Sequence, residues 1–323
     1  MKPLDPKSWN IQTTMGNTSL VMGEELAALA DTRDDLLVMT ADLMTSNGLD
    51  VFHARHPEKF VNTGIAEQNM ISVAAGLAAN GFRVYVSTFA SFASLLGAEQ
   101  MRTDLAYTRM PVRVLAHHAG ISMGFYGTSH HAVEDLAVTR AMAGMTVMAP
   151  CDANAIRAAL RATVDLDGPV YLRLGRGREA TVYDGVPVLE PGRFQRLRDG
   201  GDIALIATGI GVAAALGAAD ALGAEGIRAR VLDAIYIKPI DADAILAAAR
   251  ETGRILTVEE HNPNGGLGGA VAEVIAEADV AVRFRRFSLP DEYALVAPPS
   301  HLYRHYGLTA AGVAAAARRL LDA

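Results

Sequence analysis

Residues 62–90 read NTGIAEQNMISVAAGLAANGFRVYVSTFA. Ala66 to Ala79 is small and apolar with few breakers, which predicts a helix. Arg83 to Thr88 is a short apolar and β-branched run, which predicts a buried strand. The same alternation spreads outward. LLVMT (36–40), PVRVLA (111–116), MTVMAP (145–150) and PVYLRL (169–174) read as buried strands, and 91–106 and 152–164 as helices. Apolar strands alternating with helices predict an α/β domain with a mostly parallel sheet covered on both faces.

The alternation pauses between Gly175 and Gly201, where Gly, Pro and charge dominate and no helical period survives. This segment is expected to be an interdomain linker, centred on 181–194, carrying a short hairpin. Alternation resumes with strands at 203–208, 228–233, 254–260 and 282–289 and helices at 211–224, 241–250, 267–278 and 308–322. Two α/β domains are expected, 1–180 and 195–323, the second smaller.

Half of the 323 residues are apolar, and 29 Lys and Arg face 36 Asp and Glu for a net charge of −7. That balance suits a globular protein and offers no general attraction to nucleic acid or an anionic membrane. Cys151 is the single cysteine, so no internal disulfide forms, as suits a reducing cytoplasm. No apolar stretch has the length of a secretory signal or a membrane span. A soluble, cytoplasmic protein is expected.

Four sets of residues carry possible chemistry. Thr208 to Ala214 (TGIGVAA) forms a G-x-G-x-x-A turn between strand and helix, with Asp233 ending the next strand. It reads as a dinucleotide turn or as tight helix–strand packing. Asn264 to Gly269 (NGGLGG), after Glu259-Glu260-His261, cradles an anion or, the favoured reading, packs a helix closely. His117-His118 and His130-His131 flank a loop with Gly120, Gly124 and Gly127. Metal ligation, a satisfied polar loop, or hydrogen bonding to a polyhydroxylated or phosphorylated substrate are the alternatives, and the last fits a Gly-rich loop best. Glu67 opens an apolar helix, where it favours the helix dipole or serves as a buried acid–base carboxyl. The residue alone leaves both open.

The first domain resembles the pyrimidine-binding domain of transketolases and 1-deoxyxylulose-5-phosphate synthases. The likeness rests on Ala41 to Asn47 (ADLMTSN), GIAEQNM (64–70), Ser87-Thr88-Phe89, Gly127-Thr128-Ser129-His130 and Arg173 to Gly177. The second domain is similar to the family's C-terminal domain through Ile237-Lys238-Pro239-Ile240-Asp241 and the Glu-Glu-His…Gly-Gly-Leu-Gly stretch. The resemblance covers nearly the whole chain and implies thiamine diphosphate chemistry, with the cofactor as electron sink. It implies that Glu67 hydrogen-bonds N1′ of the aminopyrimidine, that Phe89 stacks on that ring, and that Phe92 extends the same wall. It implies that His130 contacts the ketose oxygens, and that Ser46, His117 and Arg176 hold the distal phosphate. Arg176 suits this through its planar guanidinium fork.

Three departures qualify these expectations. The family's Gly-Asp-Gly…Asn motif for magnesium and diphosphate is absent. The resemblance therefore implies the C-terminal half of a split transketolase, with no metal ligands of its own. A separate N-terminal subunit would hold the diphosphate and Mg2+ (or Ca2+), and two copies of each half would assemble. Phe125-Tyr126-Gly127 stands where the family usually has Asp before the Gly, and Tyr126 offers no fixed anionic acceptor at neutral pH. The segment near Thr18-Ser19-Leu20 lacks a phosphate-binding arginine. The expected activity is two-carbon ketol transfer from a ketose or ketose phosphate to an aldose. The alternatives are a deoxyxylulose-phosphate-synthase-like enzyme, a 2-oxo-acid dehydrogenase beta-type subunit, and a non-catalytic partner.

Overall fold

The computed structural model describes residues 17–177 and 179–322; the side chains of Thr18 and Ser19, in the segment expected to lack a phosphate-binding arginine, lie outside the described residues. The first half runs α1 (Asn17–Ala30), β1 (Leu36–Thr40), α2 (Asp50–Arg55), β2 (Phe60–Asn62), α3 (Glu67–Ala79) and β3 (Arg83–Phe89). Next comes a broken helix in which π-helical turns Phe92–Leu96 and Met101–Ala106 flank α4 (Ala98–Gln100). β4 (Val112–His117), α5 (Asp135–Ala141), β5 (Thr146–Met148), α6 (Ala153–Thr163) and β6 (Val170–Arg173) complete it. The second half runs β7 (Gln195–Arg198), β8 (Ile203–Ala207), α7 (Gly211–Gly223), β9 (Ala229–Asp233), β10 (Tyr236–Lys238), α8 (Ala242–Thr252) and β11 (Arg254–Val258). It closes with α9 (Leu267–Ala276), β12 (Arg283–Phe287), α10 (Pro299–His305) and α11 (Ala310–Leu321).

The strands form a seven-stranded sheet, ordered β10-β5-β6-β4-β3-β1-β2, and a five-stranded sheet, ordered β12-β11-β8-β9-β7. All pairings are parallel except β10 with β5 and β7 with β9. β4, β6, β8 and β9 are buried at every residue, which is why they read as mostly apolar runs, wholly so in β8. Side-chain caps start three helices. Asp152 accepts from the Ala155 N–H, Asp241 from that of Ala244 and Thr309 from that of Gly312.

Two expectations are corrected. The linker carries no hairpin among the described residues: its end becomes β7, an edge strand antiparallel to β9. The stretch 236–238 follows the second domain's β9 yet leaves that sheet to pair with β5 of the first, Tyr236 opposite Met148 and Lys238 opposite Val147.

The glycine motifs resolve into packing. A Cβ on Gly211 would lie 2.8 Å from the Val258 carbonyl oxygen, so this glycine lets α7 press onto β11. Asp233 is fully buried, accepting from the Tyr183 hydroxyl at 2.8 Å and the Cys151 thiol at 3.5 Å. It joins linker to both domains and faces no ribose, which overturns the dinucleotide alternative. At Gly265–Gly268 the anion is internal. The Glu259 carboxylate accepts from the N–H groups of Leu267 (2.7 Å) and Gly268 (2.8 Å) at the start of α9, where the helix dipole favours negative charge.

Candidate active site

The expected site residues gather at the carboxyl ends of β1, β3, β4 and β6, the edge where open parallel sheets place their ligands. The turn before Glu67 is shaped by Asn62. Its Oδ1 accepts from the Asp42 and Gly64 N–H groups, both at 3.0 Å, and its Nδ2 donates to Asp42 Oδ1 at 3.3 Å. Asp42 and Gly64 both have left-handed backbones, with φ of 60° and 71°. This pinned turn delivers Glu67 as the first residue of α3, 7% exposed, with Oε1 accepting from the Thr88 hydroxyl at 3.3 Å. Thr88 and Phe89 end β3, so the carboxylate and the Phe89 ring share one strand end.

Aromatic rings spread from Phe89. Its centroid lies 4.5 Å from His118, 5.5 Å from Phe92 and 5.8 Å from His130. Phe92 meets His130 edge-on at 5.3 Å, and Tyr126 lies 4.8 Å beyond His130. Tyr126 adjoins Phe125 at 5.2 Å, and the Arg176 guanidinium carbon lies 5.1 Å from the Phe125 centroid. Glu67, Phe89, Phe92 and His130 are thus brought together, with Arg176 at the far end of the same wall. Ser46 lies on the turn after β1, half-buried. Its neighbour Asn47 anchors that turn by donating to the Ser87 hydroxyl at 2.9 Å.

Burial disfavours the charged form of all four histidines of the two pairs. Burial pulls His117 down to about 4 against an opposing contact with the Gly175 backbone. Burial pulls His118 well below its ordinary value, helped by the nearby His117, Arg176 and His130. Burial also lowers His130, and lowers His131 despite its contact with the Gly124 carbonyl. His117 sits with Nε2 3.0 Å from Met22 Sδ. Any anion bound there would find it a neutral hydrogen-bonding group.

The second domain holds the histidine loop. Gly120 and Ala132 exchange two backbone hydrogen bonds of 2.9 Å, closing the loop on itself. Glu260, just past β11, accepts from the Ile121 N–H at 2.8 Å. A Cβ on Gly120 would lie 2.1 Å from the Glu260 carboxyl carbon, so only glycine fits there. Arg173 ties the loop's exit to both domains, donating to Asp135 (2.9 Å), the Ala132 carbonyl (3.1 Å) and the Glu260 carbonyl (2.8 Å). A cavity of about 480 Å³ opens between the domains beside Arg176, lined also by Ser122, Glu179, Tyr303 and Thr309. A larger groove of about 1060 Å³, between residues 98–109 and 138–144, contains none of the expected site residues.

Sequence reasoning placed His118 among the candidate histidines without a role of its own, and gave Glu260 no site role. His118 has φ of 59°, is 3% exposed, stacks near Phe89, and leaves Nδ1 without a hydrogen bond. Its signal was present in the histidine doublet. Glu260 lies in the Glu-Glu-His stretch that carries the family likeness, but its hold on the loop depends on how the domains dock.

A flat heterocycle with a hydrogen-bonding edge fits this surface. The buried Glu67 carboxylate and the Phe89 ring share one strand end, and the buried Nδ1 atoms of His117 and His118 lack partners. Among the described residues, no group of three or more His, Cys, Asp or Glu side chains is arranged to hold a metal ion.

Known proteins resemble this chain over nearly its whole length. Residues 15–179 match the transketolase pyrimidine-binding domain and residues 192–313 the transketolase C-terminal domain. The chain is 40% identical to one of the subunits of an apulose-4-phosphate transketolase from Phocaeicola vulgatus, covering 90% of this chain and 93% of that one. It is 38% identical to a putative transketolase C-terminal section from Methanocaldococcus jannaschii, covering 90% and 92%. A 1-deoxy-D-xylulose-5-phosphate synthase from Geobacter sulfurreducens is 39% identical, but this chain spans only 48% of it. Among solved structures, a split-gene transketolase described as an inactive beta4 tetramer superimposes with a TM-score of 0.86 at 40% identity, covering 94% of this chain and 98% of that one. The chain belongs to the transketolase family, laid out as the C-terminal subunit of a split transketolase.

Proposed function

We propose that this chain supplies the pyrimidine side of a thiamine diphosphate site that a separate N-terminal subunit completes. The assembled enzyme moves a two-carbon ketol unit from a ketose, commonly a ketose phosphate, to an aldose. The observation that carries this reading is the buried Glu67 carboxylate, held by Thr88 at the strand end that also presents Phe89.

When bound, thiamine diphosphate supplies the electron sink that such carbon–carbon chemistry requires. Glu67 offers a buried oxygen to the pyrimidine edge and holds a shared proton there, in a setting dry enough to strengthen one hydrogen bond. Phe89 and Phe92 orient the ring by its face and exclude water. His130 and His118, both neutral, hydrogen-bond substrate oxygens without adding charge. Arg176 holds the anionic end of the substrate, with Ser46 and His117 as neutral partners.

The diphosphate and Mg2+ (or Ca2+) are assigned to the N-terminal subunit. The inactive beta4 tetramer of a chain 40% identical supports both self-association and the need for that partner. Ile65, Leu95, Leu96 and Tyr107 present exposed apolar surface along α3 and the broken helix, suited to such contacts. Relatives named for apulose-4-phosphate and for 6-deoxy-6-sulfo-D-fructose support a ketose with an anionic end. No helix among the described residues is long and apolar enough to cross a membrane, and a cytoplasmic setting accords with the lone buried cysteine.

The test is calorimetric titration of thiamine diphosphate with Mg2+ into this chain alone and into its complex with an N-terminal subunit. Binding to the complex alone is expected. Tight binding to the isolated chain overturns the division of the site, and no binding to either overturns the cofactor reading. The likeness to the synthase family makes pyruvate consumption with carbon dioxide release the competing outcome. Ketose consumption without carbon dioxide supports transketolase.

A further inference from the structure

Phe92 stands on a helix that widens beneath it. In the turn Phe92–Leu96 the Gly97 N–H bonds back to the Phe92 carbonyl at 3.0 Å, one residue further than an α-helical bond reaches. Gly97 closes this turn against α3, since a Cβ there would lie 2.4 Å from Ile71 Cδ1 and 2.9 Å from the Ala93 carbonyl oxygen. Inside the turn, Ser94 is 1% exposed and its hydroxyl donates to the Ala90 carbonyl at 2.7 Å. A bond of this kind, to the carbonyl four residues back, bends a helix. Ser94 and Gly97 thus fix the turn from which the Phe92 ring meets His130 edge-on at 5.3 Å.

Ser94 is also tied to what lies behind it. α5 packs against the widened turn, and the Ser94 hydroxyl neighbours that of Tyr171 on β6. Tyr171 is wholly buried and donates to Asp135 Oδ2 at 3.0 Å. Asp135 accepts in turn from Arg173, which also holds the Ala132 carbonyl just past His130. Phe92 and His130 are therefore fastened to one buried polar chain, Phe92 through Ser94 and His130 through Arg173. Alanine and phenylalanine would fill the places of Ser94 and Tyr171 with no polar group to satisfy, so the two hydroxyls specify a position rather than add volume. We propose that Ser94 and Tyr171 are positioning residues, whose neighbouring hydroxyls set where the Phe92 ring stands and so how firmly the pyrimidine ring is held. Neither side chain offers surface to a ligand, so both act through Phe92. This rests on the reading of Phe92 as a wall of the thiamine diphosphate site.

The test is calorimetric titration of thiamine diphosphate with Mg2+ into the complex with the N-terminal subunit, for wild type, Ser94→Ala, Tyr171→Phe and the double variant. Loss of one hydrogen bond of ordinary strength should weaken cofactor binding by about 3–10-fold in each single variant. Because both hydroxyls belong to one link, the double variant should bind within about twofold of the weaker single variant. A merely structural role would lower the melting temperature of these complexes and leave the affinity unchanged. Affinities within about twofold of wild type in both single variants overturn the proposal, as does a double variant weakened further than the shared link allows. If Ser94→Ala does not assemble, Tyr171→Phe decides alone, by whether its affinity shifts. Absence of cofactor binding by the wild-type complex overturns the proposed function itself, whereas binding that these substitutions leave unmoved overturns the positioning alone.

Discussion

The Glu260 carboxylate accepts a hydrogen bond from the Ile121 backbone N–H across the domain boundary, at 2.8 Å. Ile121 opens the loop that bears Phe125, Tyr126 and His130, so the second domain sets where those side chains stand. Glu260→Gln keeps an acceptor oxygen, and the assembled enzyme should retain activity within about threefold. Glu260→Ala leaves a buried N–H unpaired and should cost about 1–3 kcal/mol of stability. It should raise KM more than it lowers kcat, as steady-state kinetics will show. Gly120→Ala forces a Cβ onto the same carboxylate at a left-handed φ of 64° and should lower the melting temperature clearly.

Burial drives Glu260 up to about 7, with Arg173 and the Ile121 N–H opposing it. A carboxyl raised in the folded state stabilises fully below its unfolded value, and that contribution is lost as pH rises through about 7. Buried His117, His118 and His131 are shifted down, so their contribution changes the opposite way and is lost as pH falls. The two sets offset in a simple melting series. The difference between Glu260→Gln and wild type isolates the carboxyl. The variant should gain relative stability between about pH 4.5 and 7, by up to about 3 kcal/mol, and then level off. Urea unfolding at stepped pH measures this, and a flat difference counts against it.

Glu67→Gln preserves the shape of the side chain and an oxygen for the Thr88 hydroxyl. It removes the ability to hold a negative charge at the pyrimidine edge. Activity of the assembled enzyme should fall about 10²–10⁴-fold while the subunits still associate, as gel filtration will show. Full activity would sink the role given to this residue.

Arg173 joins α5, the end of the histidine loop and the end of β11 through Asp135, Ala132 and Glu260. It is 5% exposed and Asp135 is wholly buried. Arg173→Met strands the Asp135 carboxylate and should cost about 3–5 kcal/mol. Removing both charges together, as Arg173→Met with Asp135→Leu, should recover part of that loss. Denaturant midpoints of the single and double variants make the comparison.

Much of this arrangement was legible in the sequence, for identifiable reasons. Strands buried on both faces leave apolar runs, unbroken in β8 and interrupted by Arg113 in β4. The GIAEQNM turn declares the start of α3 through Gly64 and the first-turn carboxylate. The ring wall was half legible: Phe89 and Phe92 sit on one strand–helix joint, but the stacking of Tyr126 on His130 depends on Gly124 packing against Ala297, far along the chain. The same limit hid the departure of β10 from its own domain. Three residues, Tyr236 to Lys238, carry no periodicity that distinguishes one sheet from another. Asp233 misled because a carboxylate ending a strand looks alike whether it faces a ribose or, as here, Tyr183 and Cys151.

That borrowed strand has a consequence for how this polypeptide is divisible. A fragment ending at residue 180 would strip β10 from β5, baring the ladder at Val147 and Met148 and creating a sticky sheet edge. The complementary fragment would carry Tyr236 and Ile237, both buried here, as an unclaimed apolar strand. A gene encoding this fold tolerates a break ahead of the pyrimidine-binding domain far better than one at the linker. The β10–β5 pairing ties the two domains together along a shared sheet.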